Sequence, residues 1–121
     1  MLFADCGWES PGDWRCEKPL ARGFPEAIAA SYGGNKNEKA REYRKRSPEL
    51  APRKFRTMPV AFTVGSMDTI VPPQSVLRLS RQLETRNPSK VLMLYREAAG
   101  HATSYEDTKA ALEFVIEQAA K

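Results

Sequence analysis

The sequence predicts an α/β fold built around a parallel β-α-β-α unit. Two short runs, residues 58–64 and 90–95, are almost continuously apolar, which is typical of strands covered on both faces of a parallel sheet. Apolar residues recur at helical spacing between the two runs and again after the second. Strand, helix, strand, helix in this order predicts parallel strands with a crossover helix, in a three-layer arrangement.

Start and stop residues support both helices. The first should run over residues 73–86, because Pro73 suits an early helical position and Asn87-Pro88 ends the pattern. Thr103 and Glu106 have the spacing of a capping box before the second helix. That terminal helix should carry one stripe of apolar residues, namely Leu112, Val115, Ile116 and Ala119.

The chain divides at residue 57. Residues 1–57 form an irregular or helical, loop-rich, basic segment, with a short helix at 25–32 and a surface helix or loop at 35–46. Residues 58–121 form the β-α-β-α part. Nine basic and three acidic residues between 35 and 56 leave a local charge of +6. A solvated surface explains this charge, since no stacking motif or recognition helix predicts nucleic-acid binding.

Composition excludes several classes of protein. The chain has 121 residues, 41% hydrophobic and 28% charged, enough for one folded domain with a net charge of +4. No apolar run approaches the roughly 20 residues of a membrane helix, and Asp5 interrupts the apolar start before it resembles a signal peptide. We therefore expect a soluble protein without a membrane partner, in a compartment that the sequence leaves open.

The two cysteines, Cys6 and Cys16, are separated by nine residues in a stretch rich in turn formers. They are free or paired in a disulfide. Two cysteines and one distant histidine cannot complete a four-ligand zinc site, so we expect no metal.

Asp68 and His101 are the candidate catalytic residues. Asp68 lies three residues after Gly65, at the carboxyl end of the first predicted strand, and His101 lies in the loop after the second. Neighbouring parallel strands bring such positions to one edge of the sheet, where ligands bind. A carboxylate there can fix the imidazole tautomer, which leaves the second ring nitrogen to act as a general base.

These residues resemble a known family. Gly65, Asp68, Val71 and Pro72 fit a G-x-x-D-x-x-V-P pattern, and Gly100-His101 follows the second strand. Together they resemble the carboxyl-terminal part of the α/β-hydrolase fold, most similar to prolyl-oligopeptidase-like peptidases and esterases. Residues 43–48 are similar to the Y-x-x-x-S-P segment of the same group. The resemblance implies that Asp68 is the acid and His101 the histidine of a catalytic triad, with no cofactor.

The nucleophile is missing from this pattern. Such hydrolases carry a serine on a G-x-S-x-G turn between a strand and a helix, and the sequence contains none. Ser31, in A-A-S-Y-G-G, imitates that turn, but no apolar strand precedes it and a polar stretch follows. We interpret Ser31 as a decoy.

We therefore expect part of a serine hydrolase that provides acid and histidine for a peptide or small-molecule ester substrate and is inactive alone. A unit with only two strands should self-associate or pair with an upstream hydrolase half. The alternative is a noncatalytic, partner-binding module derived from an α/β-hydrolase.

Overall fold

A computed structural model describes residues 24–71 and 73–121. The expected loop around Cys6 and Cys16, and the redox state of these cysteines, lie outside the described residues. The elements, in chain order, are α1 (Phe24–Tyr32), α2 (Ala40–Lys45), β1 (Val60–Gly65), α3 (Gln74–Arg86), β2 (Val91–Arg96) and α4 (Tyr105–Ala119). Short 3-10 helices occur at Pro48–Leu50, Pro52–Phe55 and Pro88–Lys90.

The two strands pair in parallel, as the sequence predicts. Val60 is opposite Val91, and the register continues without interruption to Gly65 opposite Arg96. β1 begins two residues later than expected, immediately after Pro59, whose nitrogen has no proton to donate. The crossover helix α3 and the terminal helix α4 follow β1 and β2, so the predicted strand, helix, strand, helix order is confirmed.

The core lies between β1 and α3. Phe62 and Val64 of the strand are buried against Leu79 and Leu83 of the helix, which are 2% and 3% exposed. Alternate residues of β1 face opposite sides of the sheet, so Thr63 lies on the face away from α3. Its hydroxyl is 3.2 Å from that of Thr103, just before α4, so the two helices lie on opposite sides of the strand pair.

The expectation of full burial on both faces is wrong for the described residues. Thr63 is exposed, and no residue of β2 is fully buried. The predicted stripe on α4 is also open to solvent, since Leu112 and Ile116 are each 60% exposed while Val115 is partly buried. Two strands are too narrow to cover a helix of 15 residues, so part of its apolar surface has no cover within the described chain.

The segment before β1 is held by contacts of its own. The Tyr43 hydroxyl donates to the carbonyl oxygen of Gly34 at 3.3 Å, and its ring meets that of Tyr32 edge to face. Ser47 is buried and its hydroxyl donates to the Tyr43 carbonyl at 2.8 Å. The polar stretch at 35–46 therefore contains a real helix, α2, whose single large apolar residue anchors it. In the two described ranges, no helix has the length and apolarity needed to cross a bilayer.

Candidate active site

The acid turn, residues 65–71, fixes the carboxylate of Asp68 at the carboxyl end of β1. The Asp68 amide donates to the Gly65 carbonyl at 3.2 Å and closes the turn. One carboxylate oxygen, Oδ1, accepts from the amides of Ile70 and Val71 at 2.8 and 2.9 Å. Because both bonds go to the same oxygen, Oδ2 is left for a different partner.

That partner is His101, whose Nδ1 lies 2.9 Å from Asp68 Oδ2. The two residues are 33 positions apart in the chain, and the parallel pairing of β1 and β2 brings them to the same edge of the sheet. The Asp68 side chain is 13% exposed and that of His101 is 41% exposed. The carboxylate is thus shielded while the imidazole remains open to solvent.

The charge state of the pair follows from its hydrogen bonds. Burial raises the pKa of Asp68, but hydrogen bonds from Val71, His101 and Ile70 outweigh burial and hold it below its usual range. Asp68 is therefore ionised at neutral pH and can only accept a hydrogen bond. Nδ1 of His101 must carry the proton, so in the neutral imidazole Nε2 has the lone pair that a general base needs.

The acid turn also binds the histidine loop, residues 97–103, directly. The Ser66 amide donates to the Arg96 carbonyl and the Met67 amide to the Ala99 carbonyl, each at 3.0 Å. The Ser66 hydroxyl donates to the carbonyl of Glu97. These bonds hold the backbone of the histidine loop directly against the acid turn.

A cleft of about 580 Å³ opens beside the pair. Its walls come from the end of β1, from the histidine loop with its flanking residues Tyr95, Arg96 and Ser104, and from Asp107. Sequence reasoning missed Arg96 and Asp107, which form an ion pair and line the same cleft as His101. An arginine at the end of a strand and an acid in the first turn of the following helix were the signals that could have identified them.

Other side chains in the second half of the chain cap a helix, line the cleft or are partly to largely exposed. Ser104 is the N-cap of α4 and accepts from the Asp107 amide at 3.1 Å, one residue later than the expected capping box. Tyr105 is 77% exposed and lies outside the core, whereas Tyr95 is 41% exposed and lines the cleft. Phe114 is half-buried. Met67 is 63% exposed beside the acid.

Ser31 lies in the last turn of α1. Its hydroxyl donates to the carbonyl of Ala27 in the preceding helical turn at 2.9 Å. The residues just before it are helical, whereas a nucleophile turn follows a strand. The described residues also contain no group of three or more histidine, cysteine or acidic side chains suited to a metal ion.

An ionised acid that orients a histidine, each placed after one of two parallel strands, is the arrangement found in α/β-hydrolases. The model of the prolyl oligopeptidase family, Peptidase_S9, matches residues 23–120, and the chain belongs to this family of hydrolases. Membership implies an α/β-hydrolase fold, and the described residues contain a two-stranded parallel sheet. No curated protein and no solved structure matches the chain.

Proposed function

We propose that this chain provides the acid and the base of a serine hydrolase that cleaves peptides or carboxylic esters. The observation that carries the proposal is the 2.9 Å contact between His101 Nδ1 and Asp68 Oδ2 at the carboxyl edge of parallel strands. Asp68 is held by two backbone amides, so it orients the imidazole without moving itself. Membership in the prolyl oligopeptidase family supports the same reaction class.

In this mechanism Nε2 of His101 accepts the proton of a serine hydroxyl while the serine oxygen bonds to the substrate carbonyl carbon. The imidazolium that forms is stabilised by the Asp68 carboxylate. The same proton then passes to the leaving amine or alcohol as its bond to carbon breaks, which leaves an acyl-enzyme. His101 then takes a proton from water as the water oxygen bonds to the acyl carbon. It returns this proton to the serine oxygen as the bond between that oxygen and the acyl carbon breaks, which releases the carboxylic acid. The reaction needs no cofactor.

We propose further that the serine comes from chain outside this sequence. No G-x-S-x-G turn occurs among the 121 residues, and Ser31 is bonded within a helix. The open stripe on α4 supports this proposal, because Leu112 and Ile116 would be covered by neighbouring parts of a larger hydrolase domain. Alone, the chain would be catalytically incomplete.

The test is to express the chain together with the coding sequence upstream of it and to measure fluorophosphonate labelling and ester and peptide hydrolysis. We expect His101→Gln to lower kcat/KM by about a thousandfold or more. Glu84→Gln, an exposed position on α3, is the matched control and should leave activity unchanged. Activity of His101→Gln within tenfold of wild type, or no serine turn upstream, would overturn the proposal.

The second candidate function is a noncatalytic module that binds a partner protein. The open apolar stripe on α4 and the unpaired strand edges of the described sheet favour it. A monodisperse, cooperatively unfolding monomer without ester hydrolysis would support this function. Aggregation or loose packing of the lone chain would instead support a piece of a larger hydrolase.

A further inference from the structure

We infer that Arg96 and Asp107 are positioning residues that hold His101 in contact with Asp68. The inference rests on the proposed role of His101 as the catalytic base. The contact between His101 and Asp68, however, can be observed without any nucleophile. The inference can therefore be tested without measuring turnover.

The ion pair closes the base of the histidine loop. Arg96 is the last residue of β2, and Asp107 lies in the first turn of α4. The histidine loop therefore starts directly after Arg96 and ends four residues before Asp107. The Arg96 Nε donates to Asp107 Oδ2 at 2.9 Å, and the Nη2 of the same guanidinium donates to Oδ1. A two-point contact of this kind fixes both distance and orientation.

The acid partner is itself held in place. Asp107 is only 8% exposed, and its amide donates to the hydroxyl of the N-cap residue Ser104. The bond from Arg96, opposed by partial burial, holds the pKa of Asp107 below its usual range, so the carboxylate stays charged. The Arg96 side chain is 57% exposed, and exposed ion pairs add little to global stability. We therefore expect loss of the ion pair to change the position of the histidine loop more than the free energy of unfolding of the whole chain.

The two edges of the loop are held differently. On the side of the acid turn, bonds from the backbone and hydroxyl of Ser66 and from the backbone of Met67 secure it. On the side of α4, the ion pair links the first turn of the helix to the end of β2, and the contact between Thr63 and Thr103 links the end of the loop to β1. If the ion pair is lost, α4 can shift relative to β2, and the loop between them can carry His101 away from the carboxylate.

Nuclear magnetic resonance of the full chain tests the inference, because His101 is its only histidine. The readouts are the downfield Nδ1 proton signal of the imidazole and the hydrogen exchange of the Met67 amide, which donates across to the loop at Ala99. We expect Arg96→Ala to abolish or broaden the Nδ1 signal and to speed exchange at Met67 by about threefold or more. Arg96→Lys keeps the positive charge but cannot make the two-point contact of a guanidinium, so this variant should retain part of the Nδ1 signal.

Glu49→Gln is the matched control. Glu49 forms a second two-point ion pair within the described residues, with Arg78, and its side chain is 11% exposed, as is that of Asp107. It lies far along the chain from the histidine loop, so its loss should leave both readouts unchanged. An unchanged Nδ1 signal and Met67 exchange in folded Arg96→Ala would overturn the inference, as would equal losses in Glu49→Gln. Neither result depends on whether His101 proves to be catalytic.

Discussion

The carbonyl oxygen of Gly100 lies 2.2 Å from the place where a Cβ atom on Gly65 would be, and that of Ala99 lies 2.4 Å from it. The last residue of β1 and the residue before His101 are thus in such close approach that only glycine fits at position 65. Both neighbouring atoms belong to backbone and cannot rotate away.

Gly65→Ala should therefore push the histidine loop off the acid turn. We expect a loss of about 1–3 kcal/mol in the free energy of unfolding, measured by urea titration, together with loss of the His101 Nδ1 proton signal. Gly100→Ala is the control, because a Cβ there meets nothing within 4 Å. It should change stability by less than about 0.5 kcal/mol. Equal effects of the two substitutions would contradict the close approach.

Asp68→Asn should inactivate the complete enzyme although it is nearly isosteric. The amides of Ile70 and Val71 both require an acceptor, so the amide oxygen of the new side chain would turn toward them. Its NH2 group would then face His101 Nδ1, which would have to accept, and the proton would move to Nε2. An imidazole in that tautomer cannot take the serine proton, and kcat should fall by about 10⁴. Steady-state kinetics of the extended chain, beside Glu84→Gln, checks this.

Acid should remove part of the stability that Asp68 provides. Its pKa in the folded chain lies below the unfolded value of about 3.9, so the contribution is fully present above that pH. It is lost as the pH falls through the folded-state pKa. Urea unfolding at pH 7 and at pH 3 should show wild type and Asp68→Asn further apart in stability at pH 7. A gap of the same size at both pH values would exclude this role.

Ser31→Ala should leave fluorophosphonate labelling unchanged in the extended chain. The hydroxyl bonds only to a carbonyl of its own helix, and alanine is the better helix former, so stability should hold or rise slightly. Loss of labelling would identify Ser31 as the nucleophile and contradict its interpretation as a decoy.

Leu112→Gln and Ile116→Gln should reduce self-association of the lone chain. The two side chains are four residues apart on α4, each 60% exposed, and form a continuous apolar surface. Light scattering after size exclusion should show a lower average mass for the double variant. Glu117→Gln, an exposed polar position on the same helix, should behave as wild type.

The sequence predicts the parts of the site that depend on local pattern. Apolar runs and helical spacing identify β1, β2, α3 and α4, and the parallel topology then brings Asp68 and His101 to one edge. The boundaries differ by one or two residues where hydrogen bonding decides them, as at Pro59 and at the N-cap Ser104.

What the sequence does not predict depends on distant geometry. The pairing of Arg96 with Asp107 needs the orientation of α4 on the strands, which no periodicity encodes. The exposure of Leu112 and Ile116 on α4 is not predictable either, because spacing indicates which face is apolar but not what covers it. The close contact between Gly65 and the backbone of Ala99 and Gly100 likewise cannot be predicted from the sequence, because it depends on how the acid turn and the histidine loop pack together.

The contact between Asp68 and His101 depends on the register of β1 against β2. A slip of one residue would displace the loop by about 3.3 Å along the strand and turn the side chains of β2 to the opposite face. A contact of 2.9 Å cannot survive that displacement. Closing a crossover of this length is a slow and entropically costly step. The imidazole of His101 therefore reports correct strand alignment, and a chain that folds in the wrong register would be recognisable by that single resonance.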